Sequence, residues 1–353
     1  MAADPLQSGA LSRPRLDPTP VFEMVRWAFG TELLAAAVHF DLFSRLAKPA
    51  MTIDQIAGDL GIARRPAVVM VVALRSMGLL GGEGEGVALT ALAGEYLVPA
   101  GEFYIGDYVA LIVDSPGVKA MIERLRTNEP AQSRADDPGA AFIYREGIDS
   151  AMEQEQSARR LTMALAGRAR IVAPLLAERY PLPGARRLLD VGGGTGLYSV
   201  ALLRANPGLS AVVWDRPEVL KVAAEMAEKY GVADRIELVA GDMFADPVPL
   251  GCDVMLLSNV LHDWDVPECE RLLTRCAAAL PEGGRLLIHD VYLNDAMDGP
   301  LPVALYSAAL FNVTEGRAYS AGEYRGMLAK AGLEAGEIVE TAVHCGVLPA
   351  MKR

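Results

Sequence analysis

The chain is poor in the residues that most often mark metal or disulfide chemistry. Its 353 residues hold four cysteines and four histidines, and the cysteines, at 252, 269, 276 and 345, form neither a Cys-x-x-Cys pair nor a framework of regular spacings. A disulfide scaffold and a zinc ribbon are thereby excluded, and reduced thiols in a cytoplasmic protein are expected. Positive charge is also short. The 33 Lys and Arg stand against 45 Asp and Glu, a formal charge of −12, which is the wrong sign for gripping a phosphate backbone. No apolar signal core precedes the proline-rich N-terminal stretch, and no 18-residue uncharged apolar run occurs, so neither secretion nor a membrane span is expected. What is plentiful is apolar side chain, 52% of residues, on a chain long enough for two domains.

Residues 1–20 read as a loosely docked arm. From Val21 to Leu46 the pattern is helical and unusually apolar, with Thr31 as N-cap of the stretch that follows. So apolar a helix must be covered, and a second copy of the chain is the expected cover. Thr52 and Gln55 have capping-box spacing, Gly61 ends that helix, Pro66 opens the next, and Gly78 closes it. A hairpin with a glycine-rich tip follows over 79–90. Helix, turn, helix and small wing also suit a DNA-binding regulator. Charge opposes that reading: residues 31–100 carry five Lys or Arg against seven Asp or Glu, with Glu83 and Glu85 at the wing tip. Two further helical stretches, 103–127 and 141–180, flank a polar loop from Asn128 to Gly139. Met152 and Met163 lie in the second, and methionines so placed are more often core than ligand contacts; Met163, with Phe311 and Asn312 further on, is a candidate for lining a substrate pocket.

The organising stretch is 188–203, Leu-Leu-Asp-Val-Gly-Gly-Gly-Thr-Gly-Leu-Tyr-Ser-Val-Ala-Leu-Leu. An apolar run meets a glycine cluster and then apolar residues at helical spacing, so strand, tight turn and helix are predicted. Gly192, Gly194 and Gly196 permit a sharp bend and close approach to a ligand at a helix N-terminus. The spacing departs from the dinucleotide fingerprint, because Leu197 stands where its third glycine belongs. Asp190, just before the turn, would repel a pyrophosphate but tolerate the cationic S-adenosylmethionine (SAM). Beyond 203 the alternation of strand and helix continues, and polar residues recur at strand ends, where open α/β sheets bind ligands. Asp215 ends the second strand, where a carboxylate can accept both ribose hydroxyls. Asp242 ends the third and suits an adenine amino group, with Met243 and Phe244 packing on the ring. Ser258 ends the fourth, as a further cofactor-side candidate. His262 follows it on the ligand side, and an imidazole titrating near neutrality suits removal of a phenolic proton. His39 reads as packed, and His289 as ending a strand beside the site. A metal bound by His262, Asp263 and His289 is a rival reading.

Asp-Val-Gly-Gly-Gly-Thr-Gly (190–196), Asp-Arg-Pro (215–217), Gly-Asp-Met-Phe (241–244) and Leu-His-Asp-Trp (261–264) together resemble the SAM-dependent small-molecule O-methyltransferases of the caffeic acid and bacterial polyketide type. The resemblance implies a Rossmann-like class I α/β domain over 103–353, including substrate-lining helices 103–180, preceded by a mostly helical, winged-helix-like dimerisation domain over 1–102. It implies a homodimer acting on a small phenolic compound of secondary metabolism, with SAM held by Asp215, Asp242 and Met243, and His262 as base. Asp290 matches the first of two acids that flank this base in the family. The second falls on Ala318, so that acid is missing. Relatives methylate oxygen, nitrogen or carbon, and ring C-methylation stays open beside O-methylation; the alternative outside enzymology is a SAM-sensing regulator.

Overall fold

The computed structural model describes residues 11–47, 49–82, 84–129 and 155–353. Met152 and the first part of the helix expected over 141–180 lie outside the described residues. The described residues form two compact units. A helical unit takes residues 20–129 together with 292–320, and a sheet unit takes 155–291 and 321–353 with the segment 11–19. The compact units are thus not divided by a single boundary at residue 102.

The helical unit begins with α1 (Thr19–Met24), α2 (Trp27–His39), α3 (Leu42–Leu46), α4 (Ile53–Leu60) and α5 (Arg64–Ser76). The paired strands β1 (Leu80–Gly81) and β2 (Ala88–Leu89), then α6 (Ala91–Tyr96), α7 (Gly106–Ala110) and α8 (Pro116–Thr127), continue it. The capping box of Thr52 and Gln55 is formed, and Gly61 takes the left-handed conformation that closes α4. The apolar stretch from Val21 to Leu46 is three helices, not one, and Thr31 stands inside α2 instead of capping it. Burial overrides the local signal here: Leu33 and Ala35 to Ala37 have no exposed surface, and at Gly30 a methyl group would sit 3.4 Å from Leu305. Residues 103–127 likewise split, because Pro116 takes the first turn of α8 after an extended Ser115.

The sheet unit holds α9 (Glu155–Arg179), β3 (Arg187–Val191), α10 (Leu197–Ala205), β4 (Ser210–Asp215), α11 (Pro217–Lys229), β5 (Ile236–Ala240), β6 (Val254–Ser258), α12 (Val266–Ala279) and β7 (Arg285–Leu293). The chain then re-enters the helical unit as α13 (Leu301–Val313) and β8 (Tyr319–Ser320), and returns as α14 (Ala321–Lys330), β9 (Leu333–Ala335), β10 (Val339–Glu340) and β11 (Cys345–Lys352). In the helical unit Ala308 and Phe311 of α13 belong to the same buried cluster as Leu33, Met70 and Leu125. The sheet order is β10-β11-β7-β6-β3-β4-β5, parallel from β7 to β5, with β11 antiparallel to β7. Central strands β3 and β6 are buried along almost their whole length because both their faces are covered, and β6 reads as an apolar run closed by Ser258. The connections reverse direction between β3 and β6, so the crevice at the carboxyl ends of those strands is the place for a ligand.

Candidate active site

The glycine turn is fixed from two sides. Gly192 donates to the Trp214 carbonyl at 2.9 Å, and Gly194 donates to Asp215 Oδ2 at 2.8 Å. Gly192 and Gly194 have φ of 63° and 58°, which side chains with a Cβ rarely adopt. Gly193 is needed for closeness instead, since a Cβ there would lie 2.8 Å from both Asp190 Cγ and Val213 Cγ1. Asp190 is buried beneath the turn. Ser199 donates to its Oδ2 at 2.7 Å, its Oδ1 has no partner, and burial raises its pKa to about 7.

Above the turn lies an open cleft lined by Gly192, Trp214, Asp215, Arg216, Gly241, Asp242, Met243, Phe244 and Trp264. The second Asp215 oxygen accepts from the Arg216 amide at 2.7 Å. Each oxygen therefore keeps a lone pair for a hydroxyl donor. Asp242 is held by Phe244 N at 2.7 Å on one oxygen and by the Arg216 guanidinium at 2.9 Å on the other. The Phe244 and Trp264 rings meet edge to face with centroids 4.6 Å apart, giving the cleft an aromatic wall. The donor set fits an adenosyl group: a carboxylate at each of two adjacent strand ends, apolar walls, and an orphaned buried carboxylate oxygen behind the glycines for a cationic group. Arg216 and Trp264 had been legible only as parts of motifs.

His262 follows β6 in a single short turn and is buried. Its Nδ1 donates to Asp290 Oδ1 at 2.5 Å, which directs Nε2 away from that carboxylate. Asp263 Oδ1 lies 3.6 Å from Nε2, an ion-pair distance beyond hydrogen-bond range. Burial alone would hold this imidazole neutral, yet the carboxylates of Asp290 and Asp263 outweigh it, against opposition from Arg168, and raise the pKa above the ordinary histidine value. Asp263 itself is pushed up to about 6 by desolvation.

Ser258, expected on the cofactor side, is not brought to the cleft. Its Oγ sits 2.8 Å from His289 Nδ1 and accepts from Asn259 Nδ2 at 3.1 Å, turned along the sheet. His289 Nε2 contacts Thr341 Oγ1 at 3.1 Å. Both nitrogens of His289 and Nδ1 of His262 are thus engaged by oxygen groups, and the three residues of the metal reading do not converge; among the described residues no group of three or more His, Cys, Asp or Glu is arranged to hold an ion. Arg168 of α9 donates to Asn259 Oδ1 at 2.5 Å and to Cys345 Sγ at 2.9 Å. Neither Arg168 nor Tyr324, which donates to Asp290 Oδ2 at 3.2 Å, carries a sequence signal, because each reaches the site from a helix far along the chain.

In the helical unit, Phe311 does not have the free surface a substrate-lining residue needs. It is fully buried, its ring flanked by the Arg65 and Arg124 guanidiniums at 5.1 and 4.7 Å, and its role is packing. Asn312 and Met163 are partly exposed in their respective units. Ala318 is buried, its amide donating to Ser307 Oγ at 3.1 Å.

Sheet order, glycine turn and acid-tipped strands define a Rossmann-like SAM-dependent methyltransferase. The O-methyltransferase domain family matches residues 134–334, and the chain belongs to that family. It is 35% identical over 317 residues to the 3-hydroxy-5-methyl-1-naphthoate 3-O-methyltransferase of Streptomyces sahachiroi, covering 89% of each chain. It is 31% identical over 308 residues to the L-tyrosine C(3)-methyltransferase of Streptomyces lavendulae, covering 85% of this chain and 82% of the other. Among solved structures, an O-methyltransferase family 2 protein from Planctomyces limnophilus in complex with apigenin superposes with a TM-score of 0.87 at 43% identity, over 100% of both chains.

Proposed function

We propose that the enzyme methylates a phenolic oxygen of a small aromatic secondary metabolite, with His262 as general base. The observation that carries this reading is the 2.5 Å contact between His262 Nδ1 and Asp290, which orients Nε2 and steadies the charge the ring gains on taking a proton. SAM, when bound, supplies an electrophilic methyl group on a sulfonium. Asp215 would hold the ribose hydroxyls, Asp242 the adenine amino group, and Met243 and Phe244 the faces of the base, while Asp190 and the turn of Gly192, Gly194 and Gly196 would receive the methionine end. His262 would draw off the phenolic proton as the oxygen is alkylated, and the wall of Phe244 and Trp264 would exclude water. Met163 and Asn312 remain proposed as substrate-lining. Relatives named for a hydroxynaphthoate and a complex named for apigenin, a flavone, support an aromatic acceptor.

A relative named for methylation at a tyrosine ring carbon favours one alternative: the same His262 would make a phenolate whose ortho carbon is alkylated. A panel of phenols incubated with SAM decides between them. The expected product gains one methyl group by mass and shows an O-methyl signal by NMR; a ring C-methyl signal would reverse the assignment.

The reading includes a homodimer built on residues 1–102. Its support is apolar surface on the helical unit, where Val21 and Val25 are each more than two-thirds exposed. Twice the chain mass is expected in light scattering, and a fully active monomer would reject the dimer. Four buried cysteines, none in a disulfide, suit a reducing, cytoplasmic setting.

A further inference from the structure

We propose that Tyr324 is a positioning residue of the base, serving the Asp290–His262 pair. The inference rests on His262 being the base. Asp290 has no exposed surface, so each of its oxygens must find donors within the protein. Oδ1 accepts from His262 Nδ1 at 2.5 Å and from the Val291 amide at 2.8 Å. Oδ2 accepts from the Tyr324 hydroxyl at 3.2 Å. Two donors on one oxygen and one on the other fix the carboxylate plane, and that plane sets the direction of the Nδ1 bond and hence of Nε2. Tyr324 is itself wholly buried on α14, so its hydroxyl cannot swing away to water.

The charged groups facing His262 are Asp290 on β7, Asp263 beside it in sequence, and Arg168 on α9, the last opposing the first two. A phenolic donor on Oδ2 acts on this balance in one direction. It stabilises the negative charge that remains when the imidazole is neutral, and so favours the form able to accept a proton. Because the contact is longer than the one to His262, it contributes orientation and a modest charge effect, the scale of one neutral hydrogen bond.

The test is Tyr324→Phe in the full-length enzyme, which keeps the ring and its packing and removes only the donor. Turnover should fall about 3- to 10-fold with SAM affinity unchanged. The acid limb of the kcat/KM profile, and the titration of the His262 ring followed by NMR, should both move to higher pH by about 0.3 to 1 unit. The His262 resonance is assigned by its loss in His262→Ala. A fluorinated tyrosine at 324, a stronger donor, should move the titration the other way and covers the case in which Tyr324→Phe folds poorly. If neither substitution moves the titration while His262→Ala is inactive, only the Tyr324 assignment is overturned. An active His262→Ala overturns the base reading itself, whatever Tyr324 does.

Discussion

His289 lies within β7 and His262 in the turn that follows the neighbouring strand β6; both are buried, and they are driven in opposite directions. His289 has hydroxyl partners, Ser258 and Thr341, and burial with the nearby Arg168 charge lowers its pKa from 6.5 to about 3. His262 has a carboxylate partner, and its pKa is raised despite the same burial. Burial by itself therefore does not choose which histidine can cycle a proton. The neighbour on Nδ1 does: it is a carboxylate at His262 and a hydroxyl at His289.

The sharpest way to break this contrast is His262→Ala, for which turnover should fall about 10²- to 10⁴-fold with SAM affinity nearly unchanged in calorimetry. Wild-type turnover at pH values spanning imidazole titration would make His262 a positioning residue only. Asp290→Asn should cost less, about 10- to 100-fold in kcat, since it weakens orientation and charge stabilisation without removing the ring. Asp215→Ala tests the cleft independently of both histidines: SAM binding should weaken by about 1.5 to 3 kcal/mol, the scale of charge-assisted hydrogen bonds, and an unchanged titration curve would reject its role at the ribose. The smallest effect concerns His289. Because its pKa is depressed, the stability it contributes is present above the unfolded value of 6.5 and is lost as pH falls towards about 3. His289→Gln should accordingly flatten the fall in melting temperature between those limits. For His262 the sign is opposite: its contribution is present below 6.5 and is lost as pH rises through the folded value. An equal acid sensitivity in His289→Gln and wild type would contradict the comparison.

The parts of this arrangement that local chemistry dictates were readable in advance. Asp190, the glycine turn, Asp215 and Asp242 each sit where an apolar strand stops, and period and turn residues are enough to find such places. The capping box of Thr52 and Gln55 is equally local. Thr31 was misread because its signal was a local one that the buried face of α2 overrides. Ser258 and Phe311 were placed by position along strand and helix, whereas their roles depend on the direction of a side chain: Ser258 turns towards β7, and Phe311 lies between two guanidiniums brought by α5 and α8. Tyr324 lay beyond reach for the same reason, since its bond to Asp290 exists only once α14 has packed against α12 and β9.

The route of the chain through α13 has a consequence for how the protein is made. Phe311 and Ala308 complete the buried cluster of the helical unit, and the carbonyls that anchor Arg124 belong to Phe311 and Thr314. During synthesis from the N-terminus, then, the first helices wait with part of their core missing while the whole parallel sheet emerges behind them. Closure of the earliest-made part is deferred until residues 301–314 leave the ribosome. The interval is long, the incomplete unit exposes apolar surface throughout it, and the nascent enzyme is a natural client for chaperones that bind such surfaces.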